Sequence, residues 1–493
     1  MFNKPRHVRV LVIGAGFAGL GTSIALQRAG VDHVVLERGD DVGGTWRDNH
    51  YPGCKCDVPS HLYSFSFALN PDWTETYSSQ PEIWAYLRRC AERFGILPRI
   101  RFGTEVGDSC WDARAQRWRV ETSAGAWTAD VVVMATGGLS VPSVPDLPGL
   151  GRFAGTVFHS AAWNDAHRLE GERVAVIGTG ASAVQLVPRI QPRAGRLMVF
   201  QRTPAWVMPH GDRPIRDWER ALFRRAPLVQ RLLRSNIYWT RELVVLGLCK
   251  DRRFMAPIRW LATRHLERQV PDPDLRERLR PTFSPGCKRL LVSNDYYPAL
   301  SADNVDVITD PIAEVGERSI TTAGGAEHEV DTIVLATGFR VTDNPGFERL
   351  RGRDGRSLAE TWRDAGMQAY KGTTVAGFPN LFLVTGPNTG IGHTSLVYMI
   401  EAQIRYVLDA LRTMDRRGVA EVEVRPDAQE AFNDGLQRRM RRTVWNAGGC
   451  ASWYLDSRGR NTTLWPDFTW QFRRLTRRFD ARAYELRRPV ASS

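Results

Sequence analysis

Residues 7–19, HVRVLVIGAGFAG, place three glycines directly after an apolar, β-branched run. The run is typical of a buried parallel strand, and residues 17–29 predict the helix that follows it. A second short strand ends at Glu37, where a carboxylate can accept hydrogen bonds from a ribose. This unit predicts a dinucleotide site with the phosphates at the helix N-terminus. Its glycines, called here the first glycine loop, are Gly14 in the tight turn, Gly16 beneath the pyrophosphate and Gly19 where helix and strand pack.

Residues 173–201 repeat the order of strand, glycine turn, helix and strand. The position that Glu37 holds in the first unit is Gln201 here, and Arg202 follows it. Because a carboxylate repels a 2′-phosphate and a guanidinium binds one, the second site is predicted to prefer NADP. The predicted contacts of this site, which includes the second glycine loop, are Gly178, Thr179, Gly180, Ser182, Ala183, Arg202 and Thr203.

Two such units predict an α/β fold with two Rossmann-like dinucleotide-binding domains, the second inserted in the first, with a helical insertion. Two-dinucleotide flavoproteins have this arrangement, with FAD in the first site and NADPH in the second. A stretch rich in glycine and proline, 138–151, predicts a linker. The predicted divisions are 1–140 for the first part of the FAD-binding domain, 152–335 for the NADP-binding domain with a helical insert at about 206–280, and 336–493 for the second part of the FAD-binding domain and the C-terminal region.

The composition is that of an ordinary soluble enzyme, with 43% apolar and 25% charged residues, which excludes wholesale disorder. The net charge is +13, and residues 213–280 alone hold 17 basic and 8 acidic residues. Since no nucleic-acid motif accompanies this excess, we expect no nucleic-acid partner. The basic insert is expected either to associate weakly with a membrane surface or to form a cationic surface that attracts NADPH.

Seven cysteines, few and odd in number, predict no disulfide framework and a reducing compartment, the cytoplasm. Cys54 and Cys56 have no second pair at zinc-ligand spacing, so no metal is expected. The first predicted strand begins too near residue 1 to leave room for a signal peptide. The longest uncharged stretch, 372–400, contains glycines and prolines that disfavour a membrane-spanning helix.

Two further motifs accompany the glycine loops. Residues 153–163, FAGTVFHSAAW, match F-x-G-x-x-x-H-x-x-x-W, and residues 43–57, GGTWRDNHYPGCKCD, match G-G-x-W-x-x-x-x-Y-P-G-x-x-x-D. In their order and identity the four motifs resemble the Baeyer–Villiger monooxygenases, which are class B flavin monooxygenases, over residues 8 to about 406. The resemblance implies FAD and NADPH as cofactors, and a small-molecule ketone and O2 as substrates, without an obligate protein partner.

The same resemblance implies the chemistry. NADPH reduces the flavin, O2 adds at its C4a carbon, and the peroxyflavin attacks a ketone carbonyl to give an ester or lactone. Arg289, in the segment PGCKRL, aligns with the family's cation that stabilises the peroxyanion and the following oxyanion. Asp57 would hold that guanidinium, and Lys288 would be a further contact to the 2′-phosphate.

The resemblance also assigns FAD contacts and a hinge. His159 and Trp163 are expected to place the two domains rather than to react. Residues 386–396 are expected to pass under the flavin ring, with the following helix directed at it. The implied FAD contacts are Thr45, Trp46, Asp57, Tyr63, Val106 and Leu396.

Alternatives to ketone oxidation stay open at this point. The C-x4-C and C-x2-C pairs that disulfide reductases of this architecture use do not occur in the sequence. The first alternative is an N- or S-oxidising flavin-containing monooxygenase, against which Trp163 and the Lys288–Arg289 pair argue. A binding protein without turnover and an NADPH oxidase that releases hydrogen peroxide are the others. Cyclic, aryl and long-chain ketones all fit the sequence equally well.

Overall fold

The computed structural model describes residues 5–456 and 458–490, so residues 1–4 and 491–493 of the predicted outer divisions lie outside it. Numbered along the described chain, the strands are β1 (Arg6–Ile13), β2 (His33–Leu36), β3 (Ile100–Arg101), β4 (Val106–Asp112), β5 (Arg117–Thr122), β6 (Trp127–Met134), β7 (Thr156–His159), β8 (Arg173–Ile177), β9 (Arg196–Phe200), β10 (Val207–Met208), β11 (Leu291–Val292), β12 (Val305–Ile308), β13 (Ile312–Val315), β14 (Ser319–Thr322), β15 (Glu327–Glu329), β16 (Thr332–Leu335), β17 (Leu350–Arg351), β18 (Leu381–Leu383), β19 (Glu421–Val424) and β20 (Tyr484–Arg487). The helices are α1 (Phe17–Arg28), α2 (Thr45–Asp48), α3 (Gln80–Arg93), α4 (Ala181–Ile190), α5 (Asp217–Arg225), α6 (Pro227–Glu242), α7 (Ala256–Gln269), α8 (Pro273–Arg278), α9 (Tyr296–Leu300), α10 (Leu358–Ala365), α11 (Leu396–Arg417), α12 (Pro426–Met440), α13 (Val444–Ala447) and α14 (Thr469–Leu475).

The first sheet is built around β1 and β6, which pair in parallel. Its strand order is β17-β4-β5-β6-β1-β2-β3, and β18 also pairs with β6. Successive side chains point to opposite faces, so Val131 packs with α1 and α11 on one face, whereas Val132 packs with Trp118 on the other. Because both faces are covered, the central strands read as continuous apolar runs in the sequence.

The second sheet is fully parallel, in the order β12-β9-β8-β16-β7. Val174 and Val176 of β8 face the cluster that includes α4, and Ala175 between them faces the cluster of Met198 and Ile320. A three-stranded antiparallel sheet, β13-β14-β15, lies between β12 and β16 in the chain. The predicted fold class, an α/β fold with two Rossmann-like units, is confirmed.

The segment between β9 and β12 is mostly helical and contains α5 to α9, of which α5 to α8 lie in the predicted insert at about 206–280. Three large apolar side chains on these helices, those of Trp218, Leu222 and Leu232, are exposed. Within residues 5–456 and 458–490, no helix combines the length and the hydropathy needed to cross a membrane.

The prediction that the cysteines form no disulfide framework was wrong for one pair. Cys287 and Cys450 form a disulfide, with their Cα atoms 6.1 Å apart. They lie 163 residues apart in the chain, so only the tertiary fold brings them together, and no spacing rule detects them. The remaining five cysteines, which include Cys54 and Cys56, are free thiols.

Candidate active site

The first glycine loop joins β1 to α1 and has no room for side chains at two positions. Gly14 has φ +102°, and a Cβ atom there would lie 2.8 Å from the carbonyl oxygen of Ala135. A Cβ atom on Gly19 would overlap the carbonyl oxygen of Gly14. Gly16 is the N-cap of α1 and supplies no side-chain hydrogen bond, so the N–H groups of the first turn can bind phosphate. The loop therefore fits the pyrophosphate of FAD.

Glu37 lies beside this loop at the end of β2 and is buried. Its carboxylate accepts hydrogen bonds from the backbone N–H of Ala15 at 2.7 Å and of Gly39 at 2.8 Å. It also pairs with the guanidinium of Arg47 at 3.0 Å. Burial opposes the charge of Arg47, but Asp48 and Glu37 outweigh it and raise the Arg47 pKa. Sequence reasoning missed Arg47, although it lies inside the motif of residues 43–57.

Three of the predicted FAD contacts surround the start of α1. The indole Nε1 of Trp46 donates to the hydroxyl of Tyr63 at 2.9 Å, and the two rings meet edge to face. The ring of Tyr63 also packs against Phe17, the first residue of α1, with centroids 5.1 Å apart. Burial raises the pKa of Tyr63 well above its usual value, so its hydroxyl stays protonated. Thr45 begins α2, and its hydroxyl lies 3.4 Å from the carbonyl oxygen of Leu139.

Two further predicted FAD contacts, Leu396 and Val106, pack on different faces of the first sheet. Leu396, the first residue of α11, packs against the same core cluster as Trp46 and Tyr63. Val106, the first residue of β4, packs with Trp111 on the opposite face. Leu396 thus shares a core cluster with Trp46 and Tyr63. The FAD contacts of both Leu396 and Val106 stay predictions.

The second glycine loop repeats the geometry of the first between β8 and α4. Gly178 has φ +117°, and a Cβ atom there would overlap the carbonyl oxygen of Ala336. Gly180 is the N-cap of α4 and makes no side-chain hydrogen bond. A Cβ atom built on Gly180 would have no neighbouring atom within 4 Å, so the space there is open. Ser182 and Ala183 form the first turn of α4, with Ala183 buried against the sheet. This loop also fits a pyrophosphate.

Lys288 and Arg202 are two cations within electrostatic range of each other. Lys288 is half-buried, and burial together with the positive charge of Arg202 lowers its pKa. Within the described residues, no carboxylate lies in ion-pair range of either side chain. Thr179 donates its hydroxyl proton to the carbonyl oxygen of Thr203 at 2.8 Å, which ties the glycine loop to the segment that carries Arg202. Two neighbouring cations without a counterion fit the 2′-phosphate of NADPH.

Arg289 and Asp57 meet in a bidentate ion pair. Nε and Nη2 of Arg289 donate to the two carboxylate oxygens of Asp57 at 2.9 and 2.8 Å. Nη1 donates to the carbonyl oxygen of Ile391 at 3.2 Å. Burial opposes the charge of Arg289, but Asp57 outweighs it, so the Arg289 pKa is raised. A guanidinium has five N–H donors, and these bonds use three of them, which leaves two for a ligand.

Besides Asp57, two other distant parts of the chain surround Arg289. Ile391 belongs to residues 386–396, the segment expected to pass under the flavin. Tyr454 is buried beside the guanidinium, and burial raises its pKa although the charge of Arg289 opposes the change. The disulfide fixes Cys287, two residues before Arg289, to Cys450. Sequence reasoning left Tyr454 without a role, and only the aromatic run at 453–454 pointed to it.

The motif that ends in Asp57 docks on α4 of the second unit. The hydroxyl of Tyr51 donates to Oε1 of Gln185 at 2.9 Å, and Nε2 of Gln185 donates to the carbonyl oxygen of Lys55 at 2.8 Å. A Cβ atom on Gly53 would lie 2.6 Å from the backbone oxygen of Gln185. These contacts explain the Y-P-G part of the motif and place Asp57 where the two nucleotide units meet.

The motif of residues 153–163 lies where the chain passes between the two sheets. His159 ends β7, is buried, and accepts a hydrogen bond at Nδ1 from the backbone N–H of Ala161 at 3.0 Å. Burial lowers the pKa of His159, so the ring is neutral. Its ring packs against Phe339, just after the chain leaves β16, and Trp163 packs edge to face against Phe158. A buried, neutral histidine in this position suits a structural role.

Comparisons with known proteins agree with this arrangement. The family described as flavin-binding monooxygenase-like matches residues 7–349. A Baeyer–Villiger monooxygenase of Streptomyces coelicolor is 53% identical over 98% of this chain and 93% of its own length. One of Pseudomonas aeruginosa is 51% identical over 98% of this chain and 92% of its own.

Solved structures give the same result. The crystal structure of cyclohexanone monooxygenase from Rhodococcus sp. Phi1 bound to NADP+ superposes with a TM-score of 0.85 at 29% identity, covering 99% of this chain and all of that one. The four motifs, which include both glycine loops, and these similarities lead to one assignment. The chain belongs to the Baeyer–Villiger monooxygenases of the flavin-binding monooxygenase-like family, FAD- and NADPH-dependent enzymes that insert an oxygen atom next to a ketone carbonyl.

Proposed function

We propose that Arg289, held by Asp57, is the cation that stabilises the negative charge on the ketone oxygen as the carbonyl is attacked. The observation that carries this proposal is the bidentate pair itself, which fixes the guanidinium and, together with the bond to Ile391, leaves two N–H donors for a ligand. FAD, once bound and reduced by NADPH, supplies the activation of O2. The chain supplies a fixed positive charge, because Asp57 raises the pKa of Arg289 and orients its planar group.

We infer that Arg202, Thr203 and Lys288 bind the 2′-phosphate of NADPH. The support is the pair of cations without a counterion among the described residues, next to the second glycine loop. The half-buried position of Lys288 increases the strength of a bond to phosphate, because water competes less there. The N-terminus of α4 would then receive the pyrophosphate.

The domain division stays a proposal with the predicted bounds 1–140, 152–335 and 336–493. Sheet membership supports it, because β1 to β6 belong to the first sheet, β7 to β16 lie in or beside the second, and β17 and β18 belong to the first again. His159 lies at one of the two crossings. We propose that this histidine and Trp163 set the angle between the domains.

A cytoplasmic location is also proposed. The five free thiols are typical of a reducing compartment, whereas the disulfide between Cys287 and Cys450 is not. Alkylation of thiols in intact cells, followed by mass spectrometry, checks this proposal. We expect the exposed thiol of Cys110 to be alkylated and recovered from the cytoplasmic fraction, and its recovery only from a secreted fraction would contradict the proposal.

Product analysis tests the reaction. The purified FAD-loaded enzyme is incubated with NADPH, O2 labelled with oxygen-18 and a panel of cyclic, aryl and long-chain ketones. We expect an ester or lactone that carries one labelled oxygen atom from at least one ketone class. A parallel thioether incubation tests the N- or S-oxidising alternative, because sulfoxide without any ester or lactone would contradict ketone oxidation. Hydrogen peroxide formed per NADPH, measured with and without ketone, tests the oxidase alternative, because a ratio that ketone does not lower would contradict oxygen insertion.

A further inference from the structure

Exposed apolar side chains are concentrated in one short part of the chain. Of the 18 large apolar residues that are exposed in the described structure, ten lie between Trp218 and Leu261. Scattered exposed apolar residues are ordinary on protein surfaces, but a concentration of them marks an interaction site.

Helix α6 shows how these side chains are arranged. At 100° per residue, four of its exposed residues fall within an arc of about 60° on the helix. These four form a row, called here the apolar stripe: Leu228, Leu232, Trp239 and Leu243, the residue that caps the helix, with exposures of 68%, 71%, 54% and 62%.

The opposite face of α6 points into the protein and combines polar with apolar groups. Gln230 is buried and donates to the carbonyl oxygen of Asn70 at 2.6 Å. Arg234 donates to the carbonyl oxygens of His61 and Leu62 at 2.8 and 2.9 Å. Ile237 and Tyr238 pack on the core beside these polar anchors, so α6 is held on its inner face while leucines and a tryptophan on its outer face stay uncovered.

The charge around the stripe selects the partner. Residues 213–280 carry 17 basic and 8 acidic residues, a net charge of +9. Arg225 and Arg231, next to the stripe, are exposed and have no ion-pair partner among the described residues. A second copy of the chain would bring the same positive face against this one, and the two would repel each other. An anionic surface with an apolar interior complements both the arginines and the stripe.

We propose that the apolar stripe and its flanking arginines bind the surface of an anionic lipid bilayer, with α6 lying parallel to it. The apolar side chains enter the acyl boundary while the guanidinium groups bind lipid phosphates. This inference does not depend on the proposed roles of Arg289 or the nucleotide sites. Two roles were expected for the basic insert from the sequence, weak membrane association or a cationic surface that attracts NADPH. The apolar stripe favours membrane association.

Vesicle flotation of the FAD-loaded enzyme tests this proposal. We expect binding to vesicles that contain phosphatidylglycerol, weak binding to phosphatidylcholine alone, and a loss of binding as salt is added. The double variant L232Q/W239Q is expected to bind anionic vesicles about tenfold more weakly, because two apolar anchors are lost. The matched control V144Q/W470Q changes exposed apolar residues elsewhere and should bind like the wild type.

Each outcome has a defined meaning. NADPH oxidation and bound FAD should be unchanged in both double variants, which excludes misfolding as the cause of weaker binding. Equal binding of the two double variants, or no binding of the wild-type enzyme to anionic vesicles, overturns the proposal. A dimer that forms in sedimentation experiments and is lost only in L232Q/W239Q also overturns it, since a second copy would then cover the stripe.

Discussion

Removing Lys288 or Arg202 is expected to weaken the binding of NADPH far more than that of NADH. A charge-assisted hydrogen bond contributes about 1.5–3 kcal/mol, and the burial of the donor decides where in that range it falls. Arg202 is exposed, so R202A should raise the KM for NADPH about tenfold. Lys288 is half-buried, so K288A should raise it up to about 100-fold.

The assay is steady-state oxidation of NADPH and of NADH by each variant, with direct titration of NADP+ as a check. The matched control is R193A, which removes an exposed arginine paired with Glu170 and away from the second loop. Because Arg202 and Lys288 share one phosphate, the double variant should lose less than the sum of the two single losses. Equal effects on NADPH and NADH would refute the reasoning.

The affinity for NADP+ is also expected to depend on pH, because Lys288 must be protonated to bind the phosphate. Burial and Arg202 lower its pKa in the free enzyme, and a bound phosphate would raise it. The affinity for NADP+ should therefore be full below the pKa of the free enzyme and fall as pH rises through it. In K288A this part of the pH dependence should disappear.

Three further outcomes are expected. D57N leaves Arg289 without its anionic partner and should lower ketone turnover about 10- to 100-fold while NADPH still reduces the flavin, measured by anaerobic stopped-flow absorbance. Burial lowers the pKa of His61 to about 4, so stability is full above about pH 6.5 and falls by about 3 kcal/mol as pH drops toward 4, measured by urea unfolding. H61Q should flatten that dependence. C450S removes the cross-link and should lower the free energy of unfolding by about 2–5 kcal/mol, measured with and without reductant.

Each of these expectations has a result that contradicts it. Turnover of D57N equal to wild type would show that Asp57 does not orient Arg289. If the free energy of unfolding of H61Q depends on pH like that of the wild type, a group other than His61 causes the loss of stability in acid. If a reductant lowers the free energy of unfolding of C450S as much as that of the wild type, the loss does not come from reduction of the disulfide.

The two nucleotide units were predictable because their signals are local. The repeat in residues 173–201 predicts a helix after the glycine turn, and α4 begins directly after Gly180, with apolar residues that repeat at a helical period. Gly14 and Gly178 have the positive φ values that only glycine adopts easily, so the backbone geometry could be inferred from the residue type.

What the sequence could not supply is which distant residues meet. The disulfide joins Cys287 to Cys450, and neither residue has a local pattern that indicates a partner. Tyr454 lies beside Arg289 although 165 positions separate them, and a buried tyrosine looks the same in a sequence as any core aromatic residue. The pair of Arg289 and Asp57 was expected only through the family resemblance, since no periodicity links them.

The most direct test of the central claim is the yield of ester or lactone per NADPH in R289A. The control is R196A, which removes another arginine in a bidentate pair, with Asp306 on the second sheet. We expect both variants to be reduced by NADPH like the wild type, and we expect R289A alone to lose about 100-fold or more of its ketone product. Ester or lactone formation by R289A at close to the wild-type yield would contradict the claim that this guanidinium supports ketone oxidation.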